Sequence, residues 1–200
     1  MRKGILYVIS GPSGAGKGTV MQHFLPKHPD VFYSISATTR APRPGETDGV
    51  NYYFMQKEAF KKLREEGGFL EHATFCGNAY GTPKKAVMDK LEQGTDVILE
   101  IEVPGALQVM ETYPEGIFVF IVPPSMEELR RRLTGRNTET PEKIEERLTR
   151  AKEEISVAEK YTYIIVNDIA EVAAQELEAI MASEGNRTER KLEYVKENLL

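Results

Sequence analysis

Gly11-Pro12-Ser13-Gly14-Ala15-Gly16-Lys17-Gly18-Thr19 is the stretch whose reading decides the fold. It follows an apolar run, Ile5-Leu6-Tyr7-Val8-Ile9, and precedes a helix predicted from Thr19 to about Leu25. A strand, a glycine-rich turn and a helix in that order form a cradle for phosphate. Glycines let backbone N–H groups converge on phosphate oxygens where a Cβ would collide. The helix N-terminus adds partial positive charge and Lys17 a full one. The predicted ligand is a nucleoside triphosphate, held by Gly11, Ser13, Gly14, Ala15, Gly16, Lys17, Gly18 and Thr19. The motif Gly-x4-Gly-Lys-[Ser/Thr] expects a hydroxyl directly after the lysine, and here that residue is Gly18.

Further strand-like runs are read at Val97–Ile101, Ile117–Val122 and Tyr163–Val166. Each is apolar and rich in β-branched residues, as parallel strands buried on both faces are. Helices are predicted between them. Ser125 with Glu128 forms a capping box ahead of Met126–Leu133. Pro141 opens a helix to about Glu159, with Ile144, Leu148, Ala151, Ile155 and Ala158 on one face. Glu171–Met181 is the next helix. Strands alternating with helices predict a three-layer α/β core with a parallel sheet.

Residues 37 to 94 break that rhythm. A polar loop opens them, strands are predicted at Tyr52–Met55 and Phe69–Phe75, and helices at Lys57–Glu66 and Pro83–Glu92. The expected division is a core of residues 1–36, 95–133 and 151–183, an inserted lobe at 37–94, a small lid at 134–150 and a peripheral helical tail at 184–200.

The chain has 200 residues, 40% hydrophobic and 28% charged, as an ordinary water-soluble globule has. A net charge of −5 argues against a general nucleic-acid binder. No apolar segment approaches a membrane span, and no signal peptide is read at the N-terminus. The single cysteine, Cys76, precludes an intrachain disulfide framework and points to the cytoplasm. His23, His28 and His72 are scattered, without metal-ligand spacing. Oligomeric state is not legible.

Outside the loop, Arg40 and Arg43 lie in a Pro- and Gly-rich segment, and their forks suit phosphate oxygens. Arg132, Arg136 and Arg147 flank the expected lid. Arg136 and Arg147 are the favoured pair, one in the lid loop and one on the helix leaving it. Glu100 and Glu102 are read at the C-terminal end of a central strand, where ligands bind in open α/β sheets. Alternation is expected to set both on one face.

At this point the residues carry a resemblance. Gly11-Pro-Ser-Gly-Ala-Gly-Lys17, Ser34-Ile-Ser36-Ala-Thr-Thr-Arg40-Ala-Pro-Arg43-Pro-Gly-Glu46, Tyr80-Gly81-Thr82, Gly135-Arg136-Asn-Thr-Glu-Thr140 and Ile165-Val166-Asn167-Asp168 resemble the guanylate kinases, over about Ile5 to Met181. The resemblance implies the P-loop nucleoside monophosphate kinase fold, with an inserted GMP-binding lobe and a lid. It implies transfer of the γ-phosphoryl group of ATP to GMP, and to dGMP. It assigns Ser36, Glu71, Thr82 and Glu102 to the guanine base, and Arg40, Arg43, Tyr52 and Tyr80 to the GMP phosphate. Asn167 falls beside the ATP adenine, and Arg136 and Arg147 become lid arginines. Glu100 joins the GMP site. Guanine offers an O6 acceptor and N2 donors, so a hydroxyl suits the first and a carboxylate the second. Adenine lacks that donor set and would leave Glu71 unpaired.

Three departures stand out. Gly18 replaces the usual serine facing Mg2+. Glu102 stands where many members have Asp, and Pro104 where many have Gln. Mg2+ is therefore expected mainly on phosphates and water, with Thr19 or Glu100 as the protein's contribution. Two other readings remain open here: a kinase of another nucleotide or sugar phosphate, and a non-catalytic guanylate-kinase-like binding module.

Overall fold

In a computed structural model, which describes residues 2–75, 77–135 and 140–200, the chain folds around two sheets. The strands are β1 (Leu6–Ser10), β2 (Phe32–Ser34), β3 (Ala37–Thr38), β4 (Tyr53–Phe54), β5 (Phe69–Phe75), β6 (Asn78–Pro83), β7 (Val97–Glu100), β8 (Ile117–Val122) and β9 (Tyr163–Val166). The helices are α1 (Lys17–Phe24), α2 (Lys57–Glu65), α3 (Lys84–Glu92), α4 (Val103–Thr112), α5 (Met126–Thr134), α6 (Pro141–Ile155), α7 (Ala170–Gly185) and α8 (Thr188–Leu199).

The larger sheet is all parallel, in the order β2-β7-β1-β8-β9. Its central strands are buried on both faces, which is why their sequence reads as continuous apolar runs. Ile5, Tyr7, Ile9, Val119 and Ile121 pack one face against Val20, Met21 and Phe24 of α1 and Ala173, Ala174 and Leu177 of α7. Leu6, Val8, Leu99, Phe118 and Phe120 pack the other against Val103, Ala106 and Val109 of α4. The smaller sheet runs β4-β3-β6-β5 and is mixed. Its own apolar cluster is small: Ala37, Phe60 and Phe69, with Met55, Leu63 and Ala79 partly buried around them.

The four long apolar strands fall where the sequence predicts them. Ser125 caps α5, its hydroxyl accepting from Glu128 N–H at 3.0 Å. Thr140 caps α6 ahead of Pro141. Several boundaries differ. α6 ends at Ile155, not at Glu159, and α7 continues to Gly185. The sequence reading assigns no helix to 103–112, where α4 lies. Pro104 and Gly105 in its first turn hide it. Edge strand β2 and the short strand β3 also have too few residues to show a period, and β6 is hidden by its Asn, Gly and Pro.

One reading is corrected outright. β7 ends at Glu100, and Glu102 is the N-cap of α4, so strand alternation does not relate the two carboxylates. The chain turns at Ile101, whose N–H still bonds Ile9 O at 3.1 Å. Each acid consequently meets a different partner.

Among the described residues, no helix is long and apolar enough to cross a membrane. Helix α8 continues α7 after a short break, and Leu192, Tyr194 and Leu199 on it are exposed.

Candidate active site

The phosphate loop joins β1 to α1 at the C-terminal edge of the larger sheet. Gly16, the residue before the helix, has φ +89°. A side chain there would be strained, and its Cβ would come within 2.5 Å of Asn167 Nδ2. The turn closes through Ala15 N–H to Pro12 O at 3.0 Å. Lys17 is buried, and its ammonium donates to Gly11 O at 2.7 Å and lies 3.7 Å from a carboxylate oxygen of Glu102. Gly18 and Thr19 follow in the first turn of α1, both exposed. The α1 N-terminus and Lys17 together make an anion site.

Three elements brace this loop. From the end of β9, Asn167 donates through Nδ2 to Ala15 O at 2.8 Å. From α5, Arg132 donates to Ala15 O at 3.3 Å and to Asn167 O at 2.9 Å. Glu128 orients that guanidinium at 2.8 Å and also binds Arg131. These arginines, Arg131 foremost, hold the Glu128 carboxyl down at about 2. From α6, Arg147 donates to Ser13 Oγ at 2.6 Å, while the buried Glu154 accepts from Ser13 N–H at 3.3 Å and from Arg150 at 2.9 Å. Arg136, the other arginine favoured from sequence, lies outside the described residues.

The residues expected on the acceptor side gather on or beside the smaller sheet. Ala37 pairs with Gly81, so Ser36 lies one step on, opposite Thr82. Thr82 is buried, and its hydroxyl donates to Glu71 Oε1 at 2.7 Å. Burial pushes the Glu71 carboxyl above the usual range, with the Thr82 hydrogen bonds pulling the other way. Glu71 lies against the first turn of α4. A Cβ on Gly105 would approach Glu71 Oε2 to 2.7 Å, so glycine there makes room for the carboxylate. That close approach explains an otherwise unfavourable helix residue.

Two residues before Thr82, Tyr80 meets Tyr52 edge-on at 6.1 Å between ring centres. Arg40 stacks over Tyr52 at 5.4 Å and Phe54 at 5.8 Å. Its fork binds Glu46 bidentately at 2.9 and 2.8 Å. Glu46 also accepts from Arg43 N–H at 2.7 Å, and Arg40 holds its carboxyl below the usual range. The Arg43 side chain is exposed.

Between the two groups, Glu100 accepts from Tyr33 Oη at 2.8 Å. Burial, then Glu100 itself, raises the Tyr33 phenol well above its ordinary range. Glu102 sits by Lys17, on the phosphate-loop side. Among the described residues no group of three or more His, Cys, Asp or Glu side chains could cage a metal.

The sequence reading assigns no role to Glu46, Glu154 or Tyr33, and it sets Arg132 beside the expected lid without favouring it. For Arg132 the signal was available, since it stands one turn after Glu128, but an arginine run reads as a solvated helix face. Glu46 was visible only as part of a motif. Glu154 and Tyr33 gain their meaning from elements distant in sequence.

This arrangement has relatives. The family model described as "Guanylate kinase" matches residues 3–184. The chain is 54% identical over 198 residues to a guanylate kinase of Clostridium perfringens (strain 13), covering 99% of this chain and 90% of that protein. It is 51% identical to one from Clostridioides difficile (strain 630), with 95% and 93% covered. A crystal structure of guanylate kinase from Anaplasma phagocytophilum superposes with a TM-score of 0.76 at 36% identity, covering 99% of this chain and 96% of that one. A braced phosphate loop, a buried carboxylate on a second small sheet and matches that span nearly the whole chain lead to one assignment: this chain belongs to the guanylate kinase family.

Proposed function

We propose that the chain catalyses ATP + GMP ⇌ ADP + GDP, and takes dGMP in place of GMP. The observation that carries this is Glu71, a buried carboxylate held by Thr82 on the sheet that also bears Arg40, Tyr52 and Tyr80. Its Oε1 accepts a hydrogen bond from the Thr82 hydroxyl, which leaves lone pairs for the N1–H and N2–H2 donors of guanine. Ser36, opposite Thr82, supplies a hydroxyl for O6.

The acceptor phosphate has a second pKa near ~6 and is mostly dianionic at neutral pH. No base need remove a proton. The task is to bring two polyanions together in line, so catalysis is positioning and charge neutralisation. Lys17 and the N–H groups of the loop hold the donor phosphates. Arg40 and Arg43, with the Tyr52 and Tyr80 hydroxyls, hold the acceptor phosphate. Arg147, bonded to Ser13 at the loop, would shift onto the phosphoryl group in transit. Arg136 would approach from the lid, and Asn167 would line the adenine side. Exclusion of water by the lid and lobe would keep ATP from hydrolysis.

Mg2+ fits the oxygen donors at hand. Glu100 reaches the first turn of α1, and Thr19 is exposed there. One or two carboxylates with phosphates and waters make up the usual Mg2+ arrangement. When bound, the ion would neutralise charge on the donor phosphates.

The test is ADP formation from ATP and Mg2+ with GMP, dGMP, AMP, UMP or no acceptor. The expected result is strong dependence on GMP and dGMP. Equal rates with AMP would overturn the guanine assignment, and ADP formation indifferent to any acceptor would overturn the transferase.

A further inference from the structure

Gly18 removes from the loop the hydroxyl that would face the metal, and the structure places one side chain across from the gap. Among the described residues beyond its own helix backbone and chain neighbours, a Cβ built on Gly18 would meet one atom within 4 Å, Glu100 Oε1 at 3.7 Å. The other oxygen of Glu100 is fixed: Tyr33 Oη donates to Oε2 at 2.8 Å. Glu100 is the last residue of β7, and Tyr33 lies in the middle of the adjacent strand β2, paired with Ile98. Strand pairing thus sets the phenol beside the carboxylate, and the phenol leaves one oxygen turned toward α1.

A glutamate at a strand end has three side-chain torsions and would lose much of its freedom on binding an ion through water. A hydrogen bond from a partly buried phenol removes that freedom in advance. Partners behind a metal-binding group commonly matter this way, through orientation and not through contact. The smallest possible residue at 18 leaves room for a water between Oε1 and the ion. Mg2+ keeps several waters and tolerates this well.

We propose that Tyr33 is a positioning residue: it holds Glu100 so that Oε1 faces the space over Gly18, and through Glu100 it sets the affinity for the divalent ion that accompanies the nucleotide. This rests on the kinase reading above.

The probe is Mn2+, followed by its electron paramagnetic resonance signal with saturating ADP. Tyr33→Phe keeps the ring and deletes only the donor. It should weaken Mn2+ binding to the ADP complex by about ten-fold, leave ADP affinity without metal unchanged, and leave GMP affinity unchanged. Glu100→Gln should weaken Mn2+ more. The double variant should be no worse than Glu100→Gln alone, since Tyr33 acts only through Glu100. Unchanged Mn2+ affinity in Tyr33→Phe overturns the proposal, as do losses that add in the double variant or a loss confined to GMP. Should Tyr33→Phe fail to fold, unchanged Mn2+ affinity in Glu100→Gln overturns it alone. Phosphotransfer by the unsubstituted chain separates the two levels: its absence sinks the kinase reading, whereas its presence beside an unaltered Tyr33→Phe sinks only this one.

Discussion

The phosphate loop and the smaller sheet, the proposed donor and acceptor sides, are built in opposite ways. The loop sits over the larger core and is braced from three elements far apart in sequence: Asn167 after β9, Arg132 on α5, and Arg147 with Glu154 on α6. The expected binding side chains of the smaller sheet are held mainly by partners close in sequence, although β5 also docks on α4, where Gln108 exchanges hydrogen bonds with the His72 backbone. Arg40 is bound by Glu46 six residues on, and Glu71 by Thr82 across one hairpin. Among the described residues, the sheet's own apolar cluster is small, Ala37, Phe60 and Phe69 with Met55, Leu63 and Ala79 partly buried around them. Preorganised donors are worth most where charge builds up during reaction. An element with a thin core opens at low cost and suits a segment that must admit and release substrate. The two halves should therefore fail differently when altered.

The largest effect is expected from the donor half. Lys17→Met should lower kcat by about 10²- to 10³-fold, the range for removing one charged group aimed at the transferring phosphoryl. GMP affinity, measured by calorimetry, should change less than about two-fold. Equal loss of turnover and GMP binding would break the division into donor and acceptor halves.

Glu71→Gln comes next. The amide can still accept from Thr82, but it presents an N–H2 to guanine donors. A fall in kcat/KM for GMP on the order of 10² follows from losing charge-assisted hydrogen bonds and leaving donors unpaired. KM for ATP should hold. Stability should move the other way. Burial raises the Glu71 pKa above that of an unfolded glutamate, so the folded state favours the neutral carboxyl. This contribution to stability is full below the ordinary glutamate pKa and is lost as pH rises through the raised value. Glutamine is neutral throughout. The variant should thus melt higher than the parent at pH 7.5, with the difference closing toward pH 4. A variant that melts lower at pH 7.5 would show that Glu71 is not strained by its burial.

Phe60→Ala tests the thin core directly. Phe60 stacks on Phe69 with ring centres 4.4 Å apart and is 3% exposed. Truncating a buried phenylalanine costs about 3–5 kcal/mol. Here the loss should fall on the smaller sheet, weakening GMP binding about ten-fold or more while ADP binding stays within about two-fold. Parallel loss of both ligands would mean that the two sheets act as one cooperative unit.

How much of this was legible in the sequence follows the same contrast. The loop, the four apolar strands and the Ser125 cap are local patterns, and each declares itself within ten residues. Arg40 and Arg43 showed themselves as a phosphate pair in a Pro- and Gly-rich segment, but Glu71, Thr82 and Tyr80 could be named only through resemblance, because spacing alone gives no sign that a hairpin brings Glu71 to Thr82. Glu100 and Glu102 were misjudged for a related reason. Two residues apart in an apolar run read as one strand face, but the strand stops at Glu100 and the second acid caps a helix. That helix was itself hidden by Pro104 and Gly105. The glycine makes room for the Glu71 carboxylate, so a tertiary contact overrode the local helix signal. Tyr33 lay in an edge strand of three residues, too short for any period.

The smallest effect expected is at Asn167, and it bears on whether the bracing of the loop is redundant. Asn167→Ala removes the better of two donors to Ala15 O, the one at 2.8 Å, and leaves Arg132 at 3.3 Å. The carbonyl is therefore not orphaned, which keeps the cost toward the low end of the ~1–3 kcal/mol seen when a buried polar group loses its partner. The lost amide also packed against Gly16, whose backbone is left-handed. Loop geometry should loosen there, raising KM for ATP by about three- to five-fold with KM for GMP unmoved. If Arg132 is the true second brace, combining Asn167→Ala with Arg132→Ala should cost more than the sum of the single changes, because only then does Ala15 O lose both donors. Simple additivity would mean that the two side chains act on the loop independently.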